Sequence, residues 1–88
     1  MVSDKLTVLN RAGIHTRPAA VIARTASSFQ SDVFLEKDSM RINAKSIMGV
    51  ITLGAVWKTE LTCLAEGPDE EEALSAMRAL FEARFEEK

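Results

Sequence analysis

The last third of this chain carries an apolar stripe at helical spacing, and a helix with such a stripe must be covered by another layer of structure. The stripe comprises Ala73, Leu74, Met77, Leu80, Phe81 and Phe85. Asp69 stands before it and Glu72 three residues later, which predicts a capping box at the first turn. Glu70 and Glu71 add negative charge where the helix dipole favours it. A chain of 88 residues has room for one compact core, so this helix is expected to form part of it.

Two further helices and four strands are predicted upstream. One helix spans residues 16–28, with an apolar face of Pro18, Ile22, Ala26 and Phe29. The other is short, with Ser46 suited to its N-cap and Gly54 to its C-terminal stop. The strands are expected at Lys5–Leu9, at Val33–Glu36, from the Asp38-Ser39 turn through Ile42, and at Glu60–Ala65, where Leu61, Cys63 and Ala65 share a face. The order β-α-β-β-α-β-α is typical of an α+β protein with helices on one face of a mainly antiparallel sheet.

The composition is that of a soluble globular protein, with 47% hydrophobic and 27% charged residues. No apolar stretch approaches the length of a membrane span, and residues 1–4 lack the charged and apolar regions of a secretory signal. The single cysteine, Cys63, cannot build a disulfide framework and is expected to be a small buried hydrophobe. We therefore expect one domain over residues 1–88, in the cytoplasm and without membrane insertion.

The charges are unevenly distributed along the chain. Residues 5–31 contain no acidic side chain and four basic ones: Lys5, Arg11, Arg17 and Arg24. After Thr59 the chain contains nine carboxylates and only three basic residues. The surface around the only histidine, His15, is therefore expected to be basic, either as a solvated face or as a surface that steers an acidic partner. Nucleic acid is not expected as a partner, because the net charge is −2 and no aromatic residue lies near the basic stretch.

His15 stands at the entrance of the first predicted helix. Gly13 permits a sharp turn before that entrance, and Pro18 suits the first helical turn. The free N–H groups of such an entrance, which would include Thr16 and Arg17, bind phosphate well, and Arg17 adds a fixed positive charge. Since neutral imidazole is nucleophilic at cellular pH, this arrangement predicts a site that carries a phosphoryl group on nitrogen. A histidine can also cap a helix or fill a partly buried position, and that alternative stays open.

Machinery for hydrolysis or for metal binding is not evident. The chain offers no second histidine, no pair of carboxylates placed for acid–base work and no Cys–His arrangement. It contains neither GxGxxG nor GxxxxGK, and one histidine far from one cysteine gives no metal-ligand spacing. We expect no metal and no cofactor, and we interpret the site as a relay rather than a hydrolase.

The short second helix suggests a surface for partners. Val50 and Leu53 fall on one side of it, and Ile47, Met48 and Ile51 fall largely on another. Because so short a helix seldom buries both sides, the latter three are expected to form an exposed apolar docking patch. Ser46 is adequately explained as an N-cap, but a phosphate on it would sit at a helix N-terminus beside Lys45 and alter docking through its charge.

With these residues in view, the chain resembles the HPr family, the histidine-containing phosphocarriers of the bacterial phosphoenolpyruvate-dependent sugar phosphotransferase system. The resemblance spans essentially the whole chain and rests on GIHTRPAA at residues 13–20 and NAKSIMGV at residues 43–50. It implies an open-faced β-sandwich of four antiparallel strands with three helices on one face. It also implies a phosphoryl carrier rather than an enzyme, in which His15 receives a phosphoryl group from enzyme I as a pros-phosphohistidine. Arg17 would contact that group before it passes to enzyme IIA domains.

The resemblance also implies regulation and docking. Ser46 matches the serine that HPr kinase/phosphorylase modifies, and Ile47, Met48 and Ile51 lie where enzyme I, enzyme IIA, that kinase and a catabolite-control transcription factor bind. A monomer is expected. An alternative is a mainly regulatory phosphoprotein that acts through phospho-Ser46 with little role in sugar transport, and a third is a structural module.

Two departures from the family pattern bear on the site. Ala12 stands where family members often carry a small polar residue, so one hydrogen bond to the phosphoryl group is expected to be missing. Lys58 replaces a glycine in the turn before the last strand, so that turn is expected to rearrange, with Trp57 exposed or half-covered.

Overall fold

The computed structural model describes residues 1–86. Within them, the elements are β1 (Val2–Thr7), α1 (Thr16–Ser27), β2 (Asp32–Lys37), β3 (Met40–Asn43), α2 (Ile47–Thr52), β4 (Glu60–Glu66), α3 (Glu70–Glu82) and a final 3-10 turn (Arg84–Glu86). The predicted order of strands and helices is confirmed, as is the α+β class. No helix in this part of the chain combines the length and the apolar content needed to cross a membrane.

The sheet is antiparallel throughout, and its strands lie in the order β1-β4-β2-β3. Its packed face carries Leu61, Cys63 and Ala65 from β4 together with Val33 and Leu35 from β2, and all five belong to the core. Val33 lies opposite Ala65 and Leu35 opposite Cys63, as the two-residue side-chain period of a strand requires. The predicted face of β4 is therefore confirmed.

The helices supply the other half of the core. The buried residues of α1 are Pro18, Ala19, Ile22, Ala23 and Ala26. The stripe predicted on the last helix is confirmed within α3, because Ala73, Met77 and Phe81 are buried and Leu74 and Leu80 pack partly against the same cluster. Phe85 is buried as well, but α3 ends at Glu82, so Phe85 lies beyond the helix on which it was predicted. The Phe81 and Phe85 rings meet edge to face at 4.8 Å. Burial in this core raises the pKa of the Cys63 thiol to about 12, so the cysteine stays protonated and acts as the expected small hydrophobe.

The first strand begins earlier than predicted and ends sooner. It runs over Val2–Thr7 rather than Lys5–Leu9. The missed residues include Asp4, which lies opposite Cys63 in the register and forms a salt bridge with Arg78 of α3. Because a carboxylate at such a position interrupts the apolar alternation, the pattern alone could not reveal the start of this strand.

The predicted capping box at α3 is wrong. Asp69 does occupy the N-cap position, but its carboxylate makes no hydrogen bond to the first turn of its own helix. It accepts instead from the N–H of Gln30 at 2.9 Å, from the N–H of Ser31 at 2.8 Å and from the Ser31 hydroxyl. Glu70, rather than Glu72, reaches back and accepts from the N–H of Gly67 at 3.2 Å. Asp69 thus fastens the start of α3 to the turn before β2, a contact between residues 38 positions apart.

These hydrogen bonds make stability depend on pH. The Ser31 hydroxyl, followed by the Gln30 N–H, lowers the pKa of Asp69, because both bonds favour the ionised carboxylate. A lowered folded-state pKa contributes stability above the unfolded value, near pH 4, and this contribution is lost as the pH falls through the folded pKa.

Replacing Asp69 tests this assignment. We expect Asp69→Asn to melt several degrees lower than the parent at pH 7 and to lose less stability than the parent between pH 5 and pH 2. Thermal unfolding followed by circular dichroism across that range measures both effects. Glu71→Gln, at an exposed position in the first turn of α3, is the matched control. Parallel pH profiles for Asp69→Asn and the parent would contradict the role of the carboxylate.

Candidate functional site

The loop before α1 is held against the segment that follows α2. The N–H of Ile14 donates to the carbonyl of Ala55 at 3.0 Å, and the Ile14 side chain is buried. Gly13 has a φ of +74°, and a Cβ there would lie 3.0 Å from the Ala55 oxygen and 3.1 Å from the Cα of Val56. Glycine is therefore required twice over, by the left-handed conformation and by the close approach of backbone.

Asn10 is a structural residue of the site that the sequence analysis missed. Its buried side-chain amide donates to the carbonyl of Gly13 at 2.7 Å, and the N–H of Gly13 donates to the Asn10 carbonyl at 3.1 Å. These two bonds close the turn between β1 and α1. An asparagine three residues before a turn glycine is the available signal, because its side chain readily bonds nearby backbone.

His15 stands at the entrance of α1, as predicted, where it occupies the N-cap position. Its backbone is extended, with φ −101° and ψ −162°, and its carbonyl accepts the first helical hydrogen bond, from the N–H of Ala19 at 2.9 Å. Its imidazole is exposed and makes no hydrogen bond to the first turn of α1. The helix thus presents the ring to solvent at its positive end.

Thr16, Arg17 and Pro18 form the first turn that supports this histidine. The N–H groups of Thr16 and Arg17 stand where no helical carbonyl reaches, so they are available to an anion. Pro18 has no N–H to leave unsatisfied, and its ring is buried in the core. Arg17 is exposed and adds a guanidinium at the same helix end. The structure therefore brings His15 and its predicted phosphate cradle together.

Ser46 is the N-cap of α2, as predicted. Its Oγ accepts from the N–H of Gly49 at 3.0 Å, and its side chain is exposed. The predicted stop at Gly54 is also confirmed, with a φ of +63° directly after the C-cap residue Leu53. Lys37 closes this helix end by donating from Nζ to the Leu53 carbonyl at 3.2 Å.

His15 and Ser46 lie at opposite ends of a helix pair. Lys45, next to Ser46, donates from Nζ to the carbonyl of Phe29, just beyond the end of α1, at 3.0 Å. Ala55, beyond the end of α2, bonds Ile14 at the start of α1. The two helices pack against each other, and these two hydrogen bonds show that they run in opposite directions. The two residues thus mark different ends of the pair: His15 precedes α1, of 12 residues, and Ser46 precedes α2, of six residues, whose far end is the one bonded to the His15 loop.

The expected apolar patch on α2 is confirmed for two of its three members. Ile47 is 42% exposed and Met48 72% exposed. Val50 and Leu53 are buried, which accounts for the other side of the helix. Ile51 is only half-exposed, because it also packs against the core, so it contributes part of its side chain to the patch.

The turn at Trp57 and Lys58 is formed with a lysine at the position where the family pattern has a glycine. Lys58 itself adopts the left-handed conformation, with a φ of +71°, so the turn keeps a shape that suits glycine. The N–H of Thr59 donates to the Val56 carbonyl at 3.0 Å and closes it. Trp57 is 42% exposed, as expected, with the Arg11 guanidinium 5.2 Å from its ring centroid.

No metal centre is found in residues 1–86, since no three side chains of His, Cys, Asp or Glu come close enough together to hold an ion. The geometry instead suits an anion carried beside an imidazole. Both the imidazole and the N–H donors lie on a helix end that buried neighbours hold in place.

Comparison with known proteins decides the family. Residues 2–83 match the family described as the PTS HPr component phosphorylation site. The chain is 52% identical to the phosphocarrier protein HPr of Treponema pallidum, and the match covers all of both chains. The chain belongs to the HPr family. A crystal structure of HPr from Thermoanaerobacter tengcongensis has the same fold, with a TM-score of 0.96, 43% identity and coverage of 100% of this chain and 99% of that one.

Two other similarities bear on function and assembly. The HPr-like protein Crh of Bacillus subtilis is 48% identical over 90% of this chain and 93% of its own. A crystal structure of an HPr dimer from Thermoanaerobacter tengcongensis matches with a TM-score of 0.80 and 44% identity, covering 99% of this chain and 100% of that one. A monomer is thus not the only assembly among similar proteins, and the expected monomer stays a prediction. Membership of the HPr family supports a phosphocarrier role in the phosphotransferase system.

Alanine variants of Gly13 and Gly54 separate two costs of replacing a glycine, that of the left-handed conformation and that of a steric clash. Gly13 and Gly54 both have positive φ, but a Cβ at Gly54 would meet nothing nearer than the Thr52 oxygen at 4.0 Å. We expect Gly54→Ala to lower the free energy of unfolding by about 1 kcal/mol through conformation alone. Gly13→Ala is expected to lower it by about 2–3 kcal/mol, because the Ala55 carbonyl must also move. Urea unfolding measures both, and equal losses would contradict the close contact.

Proposed function

We propose that this protein accepts a phosphoryl group on His15 from enzyme I, itself charged from phosphoenolpyruvate, and passes it to enzyme IIA domains. The placement of an exposed imidazole at the N-cap of α1, beside the first-turn N–H groups, carries the proposal. When His15 receives the group, a ring nitrogen of its neutral imidazole attacks phosphorus. A phosphorus–nitrogen bond forms while the bond to the donor breaks, and the electron pair of the broken bond leaves with the donor. In the second transfer a nucleophile of the acceptor attacks the same phosphorus, the phosphorus–nitrogen bond breaks, and its electron pair returns to the imidazole.

The first turn of α1 stabilises the phosphoryl group without hydrolysing it. The N–H groups of Thr16 and Arg17 and the Arg17 guanidinium meet its negative charge. Phosphoryl transfer requires mainly positioning and charge neutralisation, both of which these groups supply. The chain has no second histidine to activate water. The protein therefore acts as a carrier with a covalent intermediate, and it is not an enzyme with a turnover of its own.

The exposed part of α2 provides the docking surface for enzyme I and enzyme IIA. Ile47 and Met48 offer apolar area beside a half-exposed Ile51. Exposed apolar side chains grouped on one short helix are typical of a partner surface. The basic side chains near His15 attract acidic partner surfaces and speed their encounter. Partner docking on α2 and phosphoryl transfer at the start of α1 thus use neighbouring but separate surfaces.

Regulation through Ser46 is the second candidate role. Ser46 is exposed at the N-cap of α2, next to Ile47, and HPr kinase/phosphorylase would phosphorylate it there. A dianion at this position changes the charge of the docking surface rather than the first turn of α1, which lies toward the other end of α2. It would weaken acidic partners and recruit others, including a catabolite-control transcription factor. The similarity to Crh of Bacillus subtilis favours keeping this role beside the carrier role.

Labelling with two phosphoryl donors tests both roles. With enzyme I and radiolabelled phosphoenolpyruvate, we expect an acid-labile, alkali-stable label that His15→Ala abolishes. Arg17→Gln is expected to slow labelling about tenfold or more, because one positive donor is lost from the transition state. Arg41→Gln, on β3, is the control and should label normally. An acid-stable label from ATP and HPr kinase/phosphorylase, absent from Ser46→Ala, would support regulation.

Circular dichroism of each variant confirms that loss of label is not loss of fold. Retention of the phosphoenolpyruvate-derived label by folded His15→Ala would overturn the carrier proposal. Unchanged labelling of Arg17→Gln would overturn the role of the guanidinium.

A further inference from the structure

A cleft of about 980 Å³ opens beside the His15 loop. The loop supplies one wall, α1 another, the Trp57 turn a third and the 3-10 turn after α3 a fourth. Its lining is Leu9, Asn10, Arg11, Ala12, Arg17, Val21, Arg24, Trp57, Arg84 and Phe85. Four of these ten residues are arginines and none is acidic, in a protein whose net charge is −2.

The arginines of the cleft differ from the others in the chain. Arg41 and Arg78, which lie outside it, form salt bridges with Glu36 and Asp4 respectively. Among residues 1–85, no carboxylate forms a salt bridge with any arginine of the cleft. Guanidinium groups that converge on one cleft repel one another, and an anion bound between them would relieve that repulsion.

Separate features of the fold direct these arginines into the cleft. Arg17 and Arg24 are seven residues apart, two turns of α1, so they share one face of the helix. Arg84 and Phe85 adopt left-handed conformations, with φ of 55° and 56°, which turn the chain back after α3. Phe85 is then buried against Phe81, and this anchor holds Arg84 at the rim.

Trp57 supports the fourth arginine. The Arg11 guanidinium lies 5.2 Å from the centroid of the Trp57 ring, a geometry that is favourable for a cation over an aromatic ring. The ring restrains a long side chain that is otherwise exposed, so less freedom remains to be lost when Arg11 binds an anion.

We propose that this cleft binds a small molecule that carries two phosphate groups. Four guanidinium charges match two phosphate dianions, and the planar guanidinium is suited to bidentate phosphate binding. A concave site of this volume suits a metabolite-sized ligand. A nucleic-acid chain is a poorer match, because beyond this cleft the chain carries an excess of carboxylates over basic residues. Binding here requires neither a phosphohistidine nor a partner protein.

The ligand would also affect His15, because Arg17 belongs both to the cleft and to the first turn that supports the histidine. A bound bisphosphate would compete for this guanidinium and slow phosphoryl transfer. This consequence rests on the proposed carrier function, whereas the binding site does not. A direct binding measurement therefore distinguishes failure of one proposal from failure of the other.

Titration with inorganic pyrophosphate at constant ionic strength tests the site. Trp57 is the only tryptophan of the chain and lines the cleft, so its fluorescence is expected to change saturably with pyrophosphate. Inorganic phosphate is expected to bind at least about tenfold more weakly, since it engages fewer guanidinium groups. Titration calorimetry gives the affinities of the variants, because replacing Arg11 alters the environment of the fluorophore itself.

We expect Arg84→Gln and Arg11→Gln each to weaken pyrophosphate binding about tenfold, and Arg41→Gln to leave it unchanged. All three remove one positive charge, so a uniform loss would indicate general electrostatics and overturn the site. Absence of saturable binding to the parent protein would overturn it as well. So would binding to long polyanions such as polyuridylate without binding to pyrophosphate, because the cleft would then serve a polymer.

Discussion

The position of His15 depends on the contact between the loop before α1 and the segment after α2. The Ile14–Ala55 backbone bond and the close approach of Gly13 fix that loop. The same segment reaches the other side of the loop, because the N–H of Lys58 donates to the Val8 carbonyl at 2.8 Å and the N–H of Val8 to the Thr59 carbonyl at 2.9 Å. Residues 55–59 therefore clamp the whole connection from β1 to α1, and α1 begins where the clamp places it.

This arrangement separates the start of α1, where phosphoryl transfer is proposed, from the end of the helix pair that carries Ser46. The start of α1 offers N–H groups and arginines, whereas Ser46 lies beside the exposed apolar residues of α2. The antiparallel packing of α1 and α2 keeps these ends on one rigid unit. The proposed phosphate at Ser46 would therefore act through docking, and the proposed ligand of the arginine-lined cleft would act through Arg17. The acidic helix α3 is fixed at its start by other contacts, because the Asp69 carboxylate accepts hydrogen bonds from the N–H groups of Gln30 and Ser31.

Local patterns in the sequence predicted most of the fold and the part of the site formed by His15 and the first turn of α1. The spacing of Met77 and Phe81, the N-cap at Ser46 and the stop at Gly54 depend on residues close in the chain, and all were confirmed. Asp69 was misread because its partners are 38 and 39 positions away, and local spacing carries no information about them. Likewise the cleft joins Arg11, Arg24 and Arg84 across three segments, so only the folded chain brings these charges together.

The central claim is that the N-terminal turn of α1 holds a phosphoryl group on His15. Nδ1 is the ring nitrogen nearer the backbone, so a phosphoryl group on it lies nearer the N–H groups of Thr16 and Arg17 than one on Nε2 would. Nitrogen–phosphorus correlated NMR of the protein, labelled with nitrogen-15 and phosphorylated by enzyme I and phosphoenolpyruvate, tests this directly. The account predicts phosphorus coupled to Nδ1 of His15. Coupling to Nε2, or a phosphoester on a serine or threonine, would contradict it.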